Sequence, residues 1–102
     1  MPPLHTVNKS PYASSALESC LAHSTADAAI LLIEDGVYAA LASGKRPAAL
    51  DQAAARGLVY ALSPDLEARG LGDSPLIAGT KLVDYQGFVD LAANHSPVMA
   101  WL

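Results

Sequence analysis

At 102 residues the chain is long enough to enclose one hydrophobic core and too short for two. Its net charge of −4, with no lysine- or arginine-rich stripe, argues against direct binding to nucleic acid or to an anionic membrane. Hydrophobic residues make up 52% and charged residues only 16%, against about 25% charged in an average domain, so part of the surface is expected to be covered in an oligomer.

The chain opens with MPPLHTVNKS, which lacks the apolar core of a signal peptide, and LHTV (4–7) has the length and branching of a short strand. Ser10-Pro11 follows as a helix start, with serine as the capping oxygen and proline at a position that needs no amide partner. In the helix so predicted, Ala13, Ala16, Leu17, Cys20, Leu21 and Ser24 recur at the spacing of one face. AAILLIE (28–34) is apolar on successive residues, the pattern of a strand covered on both sides. Its apolar run is far short of the roughly 20 residues that cross a bilayer.

Asp35-Gly36 turns the chain into a second expected helix, VYAALAS, closed by Gly44. Lys45-Arg46 makes a basic turn before the alanine-rich helix PAALDQAAAR, which ends at Gly57, and LVYAL (58–62) reads as the third strand. Ser63-Pro64 repeats the cap-and-proline device ahead of a short helix, DLEAR. GLGDSPLIAG (70–79) is loop, TKLVD (80–84) a fourth strand, and Asp84 a cap for the helix YQGFVDLAAN. The tail SPVMAWL adds a short edge strand with Met99 and Trp101 on one face.

Strands alternating with helices predict an α/β fold over residues 1–102: a three-layer α/β/α sandwich around a small, mostly parallel sheet of four or five strands. The groups beyond the strand ends, Asn8–Ser10, Asp35-Gly36, Ser63–Asp65 and Asp84-Tyr85, are all adequate helix caps. No phosphate loop, GxGxxG or CxxC is present, and His5, His23 and His95 lack ligand-like spacing, so neither a cofactor nor a metal is expected. A single cysteine forms no internal disulfide, which fits a reducing, cytoplasmic compartment.

That cysteine, Cys20, is the one candidate for chemistry. It falls late in its predicted helix, where the dipole disfavours a thiolate, and near the middle of the apolar stripe. A packed core thiol and a thiol facing another subunit both satisfy the pattern. Trp101 serves either its own sheet or an interface. Lys45-Arg46 and Glu34-Asp35 read as a solvated turn and a strand end. A stand-alone enzyme on a flavodoxin-like scaffold is the rival from another class, and the sequence contains no ligand-binding motif to support it.

LHTVNKSP, LLIEDGVYAAL, VYALSPDLEARGL, LVDYQGFVDL and the terminal AWL, in this order and spacing, resemble the DsrH/TusB family from about Leu4 to Leu102. The resemblance implies the smallest type of subunit in a cytoplasmic sulfur-relay complex. It would join DsrE/TusD-like and DsrF/TusC-like subunits of the same fold in a heterohexamer, a dimer of heterotrimers. Such a complex passes persulfide sulfur to a DsrC/TusE-like carrier, either for 2-thiolation of the tRNA wobble uridine or in dissimilatory sulfur oxidation. Its principal persulfide cysteine belongs to the DsrE/TusD-like partner. A cysteine at the place of Cys20 resembles the DsrH-like chains of sulfur oxidisers, which implies the sulfur-oxidising branch and makes Cys20 a candidate secondary sulfur acceptor; the alternatives are a TusB-like subunit for tRNA thiolation and a purely structural subunit with Cys20 buried and inert.

Overall fold

The computed structural model describes residues 1–102. One sheet holds β1 (Leu4–Val7), β2 (Ala29–Leu32), β3 (Val59–Leu62), β4 (Lys81–Val83) and β5 (Val98–Trp101). Their spatial order is β4-β3-β2-β1-β5, with every neighbouring pair parallel. The connections carry α1 (Ala16–His23), a 3₁₀ helix (Glu34–Ala40), α2 (Ala48–Ala55), α3 (Ser63–Ala68) and α4 (Tyr85–Ala93). No helix is long and apolar enough to cross a membrane.

The order of the strands dictates how the helices are distributed. The first three crossovers step in one direction, and a right-handed crossover then puts each helix on the same face. Leu17 and Cys20 of α1, Val37 of the 3₁₀ helix, Leu50 of α2 and Leu66 of α3 share one buried cluster with Val7, Ile30, Leu32 and Val59. The return from β4 to β5 spans the sheet on the opposite face with α4 alone. There Leu4, Ala29 and Leu31 are covered by the partly buried Phe88 and Leu91. Every residue of β1 and β2 is buried, as two-sided cover requires.

The two faces are covered unequally. No residue of α4 is fully buried, and Tyr85 and Val89, one turn apart, are each 60% exposed. Val98, paired with Leu4 at the sheet edge, is exposed as well. The sparse charge of the chain therefore shows up as apolar surface on this side of the sheet.

Three local expectations are corrected. Residues 11–13 form a turn and α1 begins only at Ala16, because the Ser10 Oγ accepts the Tyr12 N–H at 3.1 Å and its carbonyl takes the Ala13 and Ser14 amides. Serine here closes a local turn instead of capping a helix. The segment expected as a helix from Val37 is a 3₁₀ helix starting at Glu34. It is stopped at Leu41, which forms an antiparallel bridge to Leu76 while Ile77 N–H donates to the Ala40 carbonyl. Ser63 and Pro64 lie inside α3, after Leu62 at the cap position. Asp84 does cap α4, accepting the Gly87 N–H at 2.8 Å.

Gly36 lies so close to β1 that a Cβ on it would sit 2.1 Å from the Val7 carbonyl oxygen. That carbonyl also accepts the Ile33 N–H at 3.0 Å and has no freedom to retreat. Gly36→Ala is expected to cost about 3 kcal/mol or more of unfolding free energy in urea titrations. Gly70→Ala, at φ 72 with nothing within 4 Å, is expected to cost about 1–2 kcal/mol.

Candidate functional site

In a parallel sheet, functional groups usually gather beyond the carboxyl ends of the strands. Here the part of that rim beyond β2 and β3 is tied to itself, while Asn8 beyond β1 keeps a buried side-chain oxygen without a partner. The Glu34 amide donates to the Asp65 carboxylate at 2.6 Å, and the Asp35 carboxylate pairs with Arg69 at 2.9 Å. Glu34 adopts a left-handed φ of 50, which turns the chain sharply out of β2 and aims its amide at α3. These groups close the end of the sheet by bonding one another.

The Lys45-Arg46 turn is also engaged. Arg46 holds the Asp51 carboxylate at 2.7 Å and donates to the carbonyls of Leu41, Ala42 and Gly44. Its hydrogen bond keeps the Asp51 carboxyl below its ordinary value. Arg46 is thus a staple for the loop into α2. Two surface cavities, of about 110 and 130 Å³, flank α1. Both are well below the roughly 300–1,000 Å³ of a small-molecule site.

Cys20 lies on the face of α1 that packs on the sheet and is 0% exposed. Burial pushes its thiol up to about 12, since a thiolate there would have neither water nor a cation beside it. His23, one turn on, is occupied: its Nδ1 lies 2.7 Å from the Ser19 carbonyl, and its ring rests 5.8 Å from that of Trp101. His95 likewise has its Nδ1 2.6 Å from the Leu91 carbonyl. In the single chain Cys20 is a packed thiol with a full apolar lining, and chemistry on it requires α1 to open.

The structure adds a pair that sequence patterning does not reveal. The Trp101 indole N–H donates to Nδ1 of His5 at 2.9 Å, across 96 positions of the chain. His5 is only 2% exposed although it carries a polar ring. Parallel register explains the contact: His5 pairs with Met99, which places Trp101 two residues further along the same face. The one available signal was a histidine inside a short strand flanked by Leu4 and Val7. Trp101 packs on its own sheet.

Over residues 9–98 the chain matches the family described as DsrH like protein. Protein TusB of Pectobacterium parmentieri is 38% identical over 98 residues, spanning 96% of this chain and 99% of that protein. Protein TusB of Escherichia coli (strain K12) is 37% identical over 98 residues with the same coverage. Among solved structures, the crystal structure of the ychN protein from E. coli is similar with a TM-score of 0.79. That likeness covers 98% of this chain and 99% of the other at 19% identity, and is one of fold.

With burial pushing its thiol up to about 12, Cys20 is overwhelmingly in the unreactive neutral form at pH 8. The native chain is expected to resist alkylation by iodoacetamide, read by intact mass, and to become fully modified once denatured. Cys20→Ala is expected to cost about 1–2 kcal/mol in urea unfolding, from the small void it leaves. Rapid labelling of the native protein would show that α1 opens readily.

Proposed function

Because this chain belongs to the DsrH/TusB family, we propose that it is a subunit of a cytoplasmic sulfur-relay complex and works only within that assembly. The carrying observation is the family match over residues 9–98 together with TusB relatives spanning 96% of the chain. The absence of an internal nucleophile–base pair around Cys20 supports the same reading, since the chemistry is then completed on other chains. The thin cover of the sheet by α4, with Tyr85 and Val89 exposed, supports burial against partner subunits.

In this reading the partners are DsrE/TusD-like and DsrF/TusC-like subunits in a dimer of heterotrimers. The persulfide resides on a cysteine of the DsrE/TusD-like subunit. The thiolate of a DsrC/TusE-like carrier attacks the outer sulfur, the sulfur–sulfur bond to the donor breaks, and the donor cysteine leaves as a thiolate. One sulfane sulfur moves between thiolates, so no oxidant or reductant enters. Cys20 packs α1 against the sheet in the resting chain. A turn as secondary sulfur acceptor requires the assembly to uncover it.

The sequence around Cys20 points to the sulfur-oxidising branch. The relatives named TusB favour the other destination, 2-thiolation of the tRNA wobble uridine, and that is the reading we adopt.

Native mass spectrometry of the tagged chain from its own cells is expected to give a six-chain assembly with extra sulfur on a partner subunit. Deleting the gene is expected to lower wobble 2-thiouridine several-fold in total tRNA digests. One extra sulfur on this chain, lost on reduction and absent in Cys20→Ser, would assign Cys20 a transfer role. A lone monomer together with unchanged 2-thiouridine would refute the proposal.

A further inference from the structure

We propose that His5 and Trp101 form a proton-sensitive latch that holds the terminal strand β5 on the sheet. β5 is an edge strand whose only partner is β1, and Val98, Met99 and the following Leu102 are exposed. Its attachment therefore depends on one backbone ladder and on what Trp101 contributes. Trp101 packs against the cluster that contains Cys20, lies between the His5 and His23 rings, and donates its indole N–H to His5.

An indole N–H only donates, so the bond at 2.9 Å requires a free lone pair on Nδ1 of His5. His5 is accordingly neutral, with its proton on Nε2. That atom is buried with no protein partner. A second proton would occupy Nδ1, turn it into a donor facing another donor, and break the bond. It would also leave a cation enclosed in the sheet.

No neighbouring group offsets that charge. β2 and β5, on either side of β1, carry no titratable residue. On α1, which packs over this face, the titratable groups are Glu18, Cys20 and His23. Glu18 is exposed, Cys20 is a neutral thiol, and the His23 ring lies on the far side of Trp101 and carries no acidic group. Burial accordingly lowers the pKa of His5 from the ordinary 6.5. The latch then contributes fully above that ordinary value, and its contribution is lost as the pH falls towards the depressed one.

The test is hydrogen–deuterium exchange of the full chain, in the assembly in which it purifies, at about pH 7.5 and about pH 5.5, corrected for intrinsic exchange. Exchange in Val98–Trp101 is expected to rise about fivefold to tenfold at the lower pH, the worth of one hydrogen bond, with β2 unchanged. His5→Asn keeps an acceptor near Nδ1 without titrating and is expected to abolish this pH dependence, whereas His23→Gln is expected to retain it. Equal protection at both pH values overturns the latch, as does a pH dependence that survives His5→Asn. Ring-nitrogen chemical shifts of His5 in the unmutated chain give a second readout that needs no variant. Protonation in step with loss of β5 protection supports the latch, and a protonated ring under an intact β5 overturns it.

Discussion

Everything else in this molecule follows from two strands that must be covered on both faces. β1 and β2 bury all of their residues, so apolar cover is needed above and below the sheet. Three successive crossovers in one direction place α1, the 3₁₀ helix, α2 and α3 on a single side. Only the return to β5 remains for the other side, and it brings one helix of nine residues. The uncovered remainder is left as apolar surface, which in water is sustainable when another subunit covers it.

The same packing sets the chemistry of the one thiol. Cys20 faces the thickly covered side, where the helices meet β1 and β2, and burial there favours the neutral form. A persulfide relay needs thiolates that meet one another, and this chain on its own keeps its thiol away from any partner. The division of labour proposed for the assembly thus has a physical basis within the subunit. In the proposed assembly this chain supplies shape and surface, and a partner supplies the reactive sulfur.

The elements most legible in the sequence are those governed by local rules. The strands beginning at Leu4, Ala29 and Val59 are marked by apolar runs, and α2 is marked by alanine after Pro47. Asp84 caps α4 as its position implies, because that bond needs only residues three apart. Ser10 and Ser63 carry the same local signal and do something else. Ser10 closes its own turn, and the start of α3 is set where the Asp65 carboxylate receives the Glu34 amide from the end of β2. The 3₁₀ helix after β2 stops at Ala40 because Leu76, thirty-five residues from Leu41, draws Leu41 into a bridge. Such outcomes depend on partners distant in the chain, which periodicity does not register.

By itself the sequence determined the class of fold, the alternation of strands and helices, the sparse charge of the chain, and the place of Cys20 on an apolar stripe. Each of these depends on residue type and on spacing within a few turns or one strand. Tertiary structure alone decided the order β4-β3-β2-β1-β5, the unequal cover of the two faces, the self-closing rim at Glu34, Asp65 and Arg69, and the bond between His5 and Trp101. These arise where segments far apart in the chain are brought within a few ångströms by strand register, and no local pattern encodes which segments will meet.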